Sequence, residues 1–146
     1  MKNENEFNAW LSKEFRKLSP TVFAHKVADK FGIGIPDFHI WTPFRNFRQF
    51  DMECKFVRKL PGTNAAALKH PFTGEQQTFM ESIELAGGIA VGLVCVWEWN
   101  CMVLIQRKEI PSCGNFSVSH LMDRVDRGWP NYAMSSEGVY KLLQET

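Results

Sequence analysis

Residues 35–58 read IPDFHIWTPFRNFRQFDMECKFVR, and this stretch decides the fold. Two runs rich in aromatic and β-branched residues, Ile35 to Trp41 and Gln49 to about Arg58, flank a segment broken by Pro43 and Asn46. That pattern predicts two strands joined by a turn over Thr42 to Phe47. Side chains alternate across a strand, so Glu53 and Lys55 project from one face while Cys54 turns to the other. If the strands pair as a hairpin, Asp37 arrives beside Glu53. Two carboxylates and an ammonium then meet at one point, an arrangement suited to a hard divalent cation with a positive neighbour.

Upstream, Phe7, Leu11, Phe15 and Leu18 recur at helical spacing, with Trp10 widening the stripe. They predict a helix over Asn5 to Leu18, capped by Asn3 or Asn5 and ended at Ser19-Pro20. Val22 to Phe31 reads either as a short helix or as an irregular crossing, and Gly32-Ile33-Gly34 feeds the first strand. Gly32 and Gly34 read first as turn residues, although Gly34, just before Ile35-Pro36-Asp37, would also let a nucleic-acid strand approach the backbone.

Downstream, Pro61 to Thr73 is a loop with an Ala-rich patch at Ala65 to Leu68. Thr73 with Gln76 fits a capping box that opens a second helix, with Phe79, Met80, Ile83 and Ala86 on its apolar face and Gly87-Gly88 at its end. Ile89 to Trp97 is nearly all apolar, as expected of a strand buried on both faces. Glu98 to Asn100 is a tight connection to a strand at Cys101 to Gln106. Past Pro111, helices are expected at Phe116 to Val125 and Glu137 to Leu143. The order helix, strand, strand, helix, strand, strand predicts an α/β protein with a mixed central sheet flanked by helices.

The 146 residues suit one domain, 1–146, with enough apolar content (45%) to bury a core. A formal net charge of +1 gives no general attraction to nucleic acid, so any such site must come from local clustering. The segment Arg45 to Lys59 offers it: Arg45, Arg48, Lys55, Arg58 and Lys59 outnumber Asp51 and Glu53. The polar N-terminus does not resemble a signal peptide, and no apolar run is long enough to span a membrane. Cys54, Cys95, Cys101 and Cys113 form no Cys-x-x-Cys pair. Zinc ligation with His25, His39, His70 or His120 is therefore not expected, and the thiols read as buried and reduced.

Pro36-Asp37 and Glu53-Cys54-Lys55 resemble the active-site signature of the PD-(D/E)XK nuclease superfamily. The following stretch strengthens this. Glu75-Gln76, Phe79-Met80, Ile83 and Gly87-Gly88, leading into the strand from Ile89, resemble the equivalent helix of VRR-Nuc nucleases and of Gram-positive-type Holliday junction resolvases. The resemblance spans about residues 4–106 and leaves 111–146 uncovered. The loop Lys59 to Thr73 matches neither family, and the Ser- or Thr-rich patch many such resolvases carry near the first carboxylate is missing.

The resemblance implies a restriction-endonuclease-like core and a Mg²⁺ site, with Mn²⁺ as a substitute. Asp37, Glu53 and the backbone carbonyl of Cys54 would be ligands. These families also place a carboxylate on the first helix; Glu6 and Glu14 are the candidates, and Glu6, nearer the helix start, is preferred. Lys55, flanked by carboxylates, is assigned an electrostatic role at the phosphate. Gln76 would position water or Lys55, or else simply cap its helix. Arg45, Arg48, Arg58 and Lys59 are candidate DNA contacts, and His70 lies near enough in sequence to be considered. Trp97 and Trp99 read as packing or stacking residues. Arg124, Arg127 and Trp129 read as a DNA, dimer or packing element.

The implied activity is Mg²⁺-dependent hydrolysis of phosphodiesters in branched DNA, as by a Holliday junction resolvase. A flap-processing, end-processing or nicking nuclease is the second reading, and a non-catalytic DNA-binding protein on the same fold is the third. A four-way junction has near two-fold symmetry, so a homodimer is expected. The expected location is the cytoplasm of a bacterial or phage-infected cell.

Overall fold

The computed structural model describes residues 1–27, 34–44 and 48–145. Helix α1 (Glu4–Lys17) is capped by Asn3, whose side chain accepts from the Glu6 N–H. Strands β1 (Phe23–Lys26), β2 (Phe38–Trp41) and β3 (Gln49–Val57) follow. Helix α2 (Gly74–Leu85) precedes β4 (Ala90–Val96) and β5 (Cys101–Gln106). Helix α3 (Val118–Arg127), strand β6 (Asn131–Ala133) and helix α4 (Ser136–Glu145) complete the chain. The six strands form one sheet in sequence order. β3 and β4 run parallel, and every other neighbouring pair runs antiparallel.

The expected α/β core with a mixed central sheet is therefore present, but three strands and not two separate α1 from α2. Three features differ from the reading of the sequence. Part of the ambiguous Val22–Phe31 segment is β1, an edge strand paired with β2. β2 starts at Phe38 rather than Ile35, which leaves Asp37 just outside the ladder. β6 is new; at three residues it is too short to show a period.

The sheet separates two apolar layers. On one face Phe7, Leu11 and Phe15 of α1 and Leu142 of α4 pack against Phe38, Ile40, Met52, Cys54, Leu93 and Cys95. On the other, Met80 of α2 and Leu121 of α3 join Phe72, Val94, Val96, Val103 and Ile105. β4 is buried along its whole length, as its unbroken apolar run requires.

The C-terminal part contributes to both layers and also holds the loop before α2. Asn115 clamps Leu68, accepting from its N–H at 3.0 Å and donating to its carbonyl at 2.7 Å. Nearby, the Ala67 and Phe72 N–H groups donate to the carbonyls of Phe116 and Gly114. All four cysteines are free, but only Cys54 and Cys95 are buried; Cys101 is half-buried and Cys113 exposed. Among the described residues no helix is long and apolar enough to cross a membrane.

Candidate metal centre and active site

The β2–β3 ladder ends at the Phe38–Met52 pair. Beyond it, the outer edge of β3 has no strand partner among the described residues. The Asp51 N–H donates to Ile89, on the β4 side, so by alternation the Cys54 N–H and C=O face the vacated edge. Asp37 fills the gap: its Oδ2 accepts from the Cys54 N–H at 2.9 Å. Its Oδ1 lies 3.3 Å from Lys26 Nζ on β1. Asp37 is thus fixed by the Cys54 N–H at this edge because β2 begins one residue after it.

Glu53 and Lys55 project together on the α2 side of β3, nearly excluded from solvent at 2% and 4% exposure. Lys55 Nζ is 3.6 Å from Glu53 Oε1. It also sits over the Phe72 ring, 5.3 Å from the centroid, a favourable seat for a buried cation. Gly92, level with Glu53 on β4, makes room for that ring, since a Cβ there would meet Phe72 Cζ at 2.8 Å.

Gln76 caps its helix, one of the two roles expected of it, and its other contact is to Glu53 rather than to Lys55. It closes the capping box with Thr73, its Oε1 accepting from the Thr73 N–H at 2.9 Å. Its Nε2 meanwhile donates to Glu53 Oε1 at 2.8 Å. A glutamine can do both because it carries an acceptor and a donor on one amide.

The third carboxylate is Glu4, not Glu6 or Glu14. One carboxylate oxygen from each of Glu4, Asp37 and Glu53 lies within 4.8 Å of the others. Among the described residues this is the one such grouping of His, Cys, Asp and Glu. Glu6 is two residues on, about 200° around the helix. It is exposed, and its Oε2 accepts from the Lys2 N–H at 2.7 Å. Glu14 is buried against α4, held by Lys17 at 2.8 Å and by the Ser136 hydroxyl at 2.6 Å. The apolar stripe itself contained the signal: Phe7, Leu11 and Phe15 extrapolate backwards to position 4, so Glu4 lies on the sheet-facing side.

The electrostatics are those of carboxylates short of counter-charge. Burial, then the charge of Asp37, pushes Glu53 up to about 8, with Lys55 opposing the rise. Burial also raises Glu4, while Lys55 pulls it down and Asp37 pushes it up. Among the described residues, Glu53 Oε2 is buried without a hydrogen-bond partner. A buried acceptor left bare is costly, and a divalent cation among these oxygens would satisfy it.

The candidate DNA contacts separate. Arg48 precedes β3 and lines a cleft with Arg107 and Lys108. Arg58 and Lys59, past its other end, line a cleft that includes Glu4. They therefore do not form a single patch with Arg48, because a nine-residue strand sets them roughly 30 Å apart. Arg45 lies outside the described residues. His70 joins the Glu4 cleft. Gly34 has a positive φ of 83°, and a Cβ on it would come within 2.3 Å of the Glu75 carbonyl oxygen. The close approach that requires glycine is therefore to the start of α2 and not to a nucleic acid.

No family model matches the chain, and no curated protein does. Among solved structures it is similar to a VRR_NUC domain, at 16% identity and a TM-score of 0.42, over 66% of this chain and 87% of that one. It is also similar to Hjc of Archaeoglobus fulgidus, a Holliday junction resolvase, at 12% identity and a TM-score of 0.48, over 82% of this chain and 98% of that one.

Proposed function

We propose that the protein is a Mg²⁺-dependent endodeoxyribonuclease of PD-(D/E)XK type that cuts branched DNA as a homodimeric Holliday junction resolvase. The observation that carries the reading is the convergence of Glu4, Asp37 and Glu53 within 4.8 Å, with Lys55 and Gln76 both on Glu53.

The donor set fits a hard cation. It is all oxygen, it is anionic, and among the described residues one of its buried oxygens lacks a partner. Asp37, Glu53, Glu4 and the Cys54 carbonyl would hold the ion. Bound there, the ion would supply Lewis-acid polarisation of the phosphoryl group and lower the pKa of water. The chain's own residues do the rest. Lys55, seated on Phe72, presents a positive charge to the phosphate as negative charge builds on its oxygens. Gln76 fixes the Glu53 carboxylate by its amide N–H, and because Gln76 is also the helix cap, its position is set by the backbone of α2. Asp37 is held in place by the Cys54 N–H. Arg58 and Lys59 contact the DNA backbone.

The test is a cleavage panel with end-labelled DNA: a four-way junction, a flap, a fork and a plain duplex, each with Mg²⁺ and with Mn²⁺. Lys55→Ala and Asp37→Asn run alongside. Paired symmetric nicks in the junction, lost in both variants, are the expected result. Cutting of flaps or forks with the junction intact would keep the active site but overturn the resolvase assignment. Binding without cutting under either ion would overturn the enzymatic reading.

A further inference from the structure

Beside the carboxylates lies a cleft of about 500 Å³ in which Glu4 is joined by Lys2, Arg58, Lys59, Lys69 and His70. Four full cations stand there against one carboxylate, in a chain whose formal net charge is only +1. None of the four forms an ion pair among the described residues, whereas Lys17, Lys26, Lys55, Arg107, Arg127 and Lys141 each have an acidic partner. Unpaired, exposed cations lining a concave wall attract an anion rather than stabilise the fold.

The wall is also held in place. Lys69 and His70 directly follow Leu68, which Asn115 clamps on both its N–H and its C=O. Phe72, just beyond, is fixed by Gly114. The floor is Phe56 and Val57 at the end of β3, where β2 no longer covers the sheet edge. Glu4 belongs both to this cleft and to the carboxylate cluster, so the cleft opens directly onto the proposed metal centre.

We propose that this cleft binds the phosphodiester backbone that flanks the bond to be cut, leading the strand past Lys69, Lys59 and Lys2 to the carboxylates at Glu4. The inference rests on the nuclease reading for what lies at the end of the path, but the binding itself needs no catalysis. It gives the 59–73 loop, which lies outside the resemblance to the two nuclease families, a function specific to this chain. It gives residues 114–116 a positioning role. It also sets the Arg48 cleft off the path.

The test is fluorescence anisotropy of a fluorescein-labelled duplex in EDTA over a range of salt concentrations. Wild type is compared with Lys59→Ala/Lys69→Ala and with Lys13→Ala/Lys108→Ala, which removes the same charge elsewhere. Each phosphate contact contributes about 0.9 to the slope of log affinity against log salt. The cleft variant should therefore lose about 1.8 from that slope, and at 0.1 M salt its affinity should fall by tens-fold. The control should keep the wild-type slope. An unchanged slope in the cleft variant, an equal loss in the control, or no DNA binding by wild type would overturn the inference. Cutting is scored separately with Mg²⁺. A wild type that loses binding with the cleft lysines yet never cuts would retain the cleft and sink the nuclease reading. A wild type that cuts while the cleft variant binds normally would do the reverse.

Discussion

Replacing Glu53 by glutamine should make the metal-free protein more stable at alkaline pH. Glu53 is 3% exposed at its side chain, and burial with the neighbouring Asp37 charge raises its carboxyl from 4.5 to about 8. A carboxyl that binds its proton more tightly in the folded state loses stability as pH rises. The loss should begin near pH 4.5, continue to about pH 8 and then level off, reaching roughly 4–5 kcal/mol.

The amide of the Glu53→Gln variant cannot ionise, so the variant should avoid that loss. Its carbonyl can still accept from Gln76 Nε2, which in the wild type donates to Glu53 Oε1 at 2.8 Å. Part of the gain should be offset, because Lys55, 5% exposed, loses its partner at 3.6 Å. The net advantage at pH 9 should be about 2 kcal/mol. Urea unfolding of both proteins in EDTA at pH 5, 7 and 9 measures it. The difference should grow between pH 5 and 8 and stay level above. Adding Mg²⁺ at pH 8 should then stabilise wild type and leave Glu53→Gln unchanged. A difference that is flat with pH, or a variant less stable at pH 9, would refute the reasoning that the site stores uncompensated negative charge.

Gly34→Ala should lower stability by at least about 2 kcal/mol, because it adds both a disfavoured φ of 83° and a 2.3 Å clash with Glu75; thermal unfolding followed by circular dichroism checks this. Asn115→Ala should cost about 1–3 kcal/mol, since it strips two hydrogen bonds from Leu68. It should also weaken DNA binding by loosening the Lys69–His70 wall, which anisotropy in EDTA would detect. Phe72→Leu should keep the fold but reduce the cutting rate, because Lys55 loses the ring it rests on at 5.3 Å; single-turnover cleavage is the assay.

Much of the core was legible because its elements are long and regular. The sequence pattern predicts the second strand at Gln49 to about Arg58, and β3 is Gln49–Val57. Thr73 and Gln76 announced α2, and the unbroken run from Ile89 announced β4. The meeting of Asp37 with Glu53 followed from alternation and a hairpin, both of which are local. Glu4 escapes the sequence pattern because a helix over Asn5 to Leu18 leaves out the carboxylate at the true first residue of α1. Lys26 and Phe72 could not be read in advance, because nothing local ties a β1 lysine to Asp37 or a loop phenylalanine to Lys55. Those contacts depend on which strand lies at the sheet edge and on how the C-terminal segment folds back over the loop. The same holds for the basic cleft, where Lys2 on the N-terminal segment meets Lys59 and Lys69 of a loop that Asn115 clamps at Leu68.

The most direct test of the central claim is the initial rate of four-way-junction cleavage as a function of Mg²⁺ concentration for wild type, Glu4→Gln and Glu6→Gln. Wild type should cut with a saturable dependence on the ion. Glu4→Gln should fall by roughly a hundredfold or need far more Mg²⁺, while Glu6→Gln should stay within about twofold of wild type, as expected for an exposed helix-terminus carboxylate. A wild type inert at every ion concentration, or a Glu6→Gln variant that fails while Glu4→Gln cuts normally, would contradict the assignment of Glu4, Asp37 and Glu53 as the metal-binding centre of a nuclease.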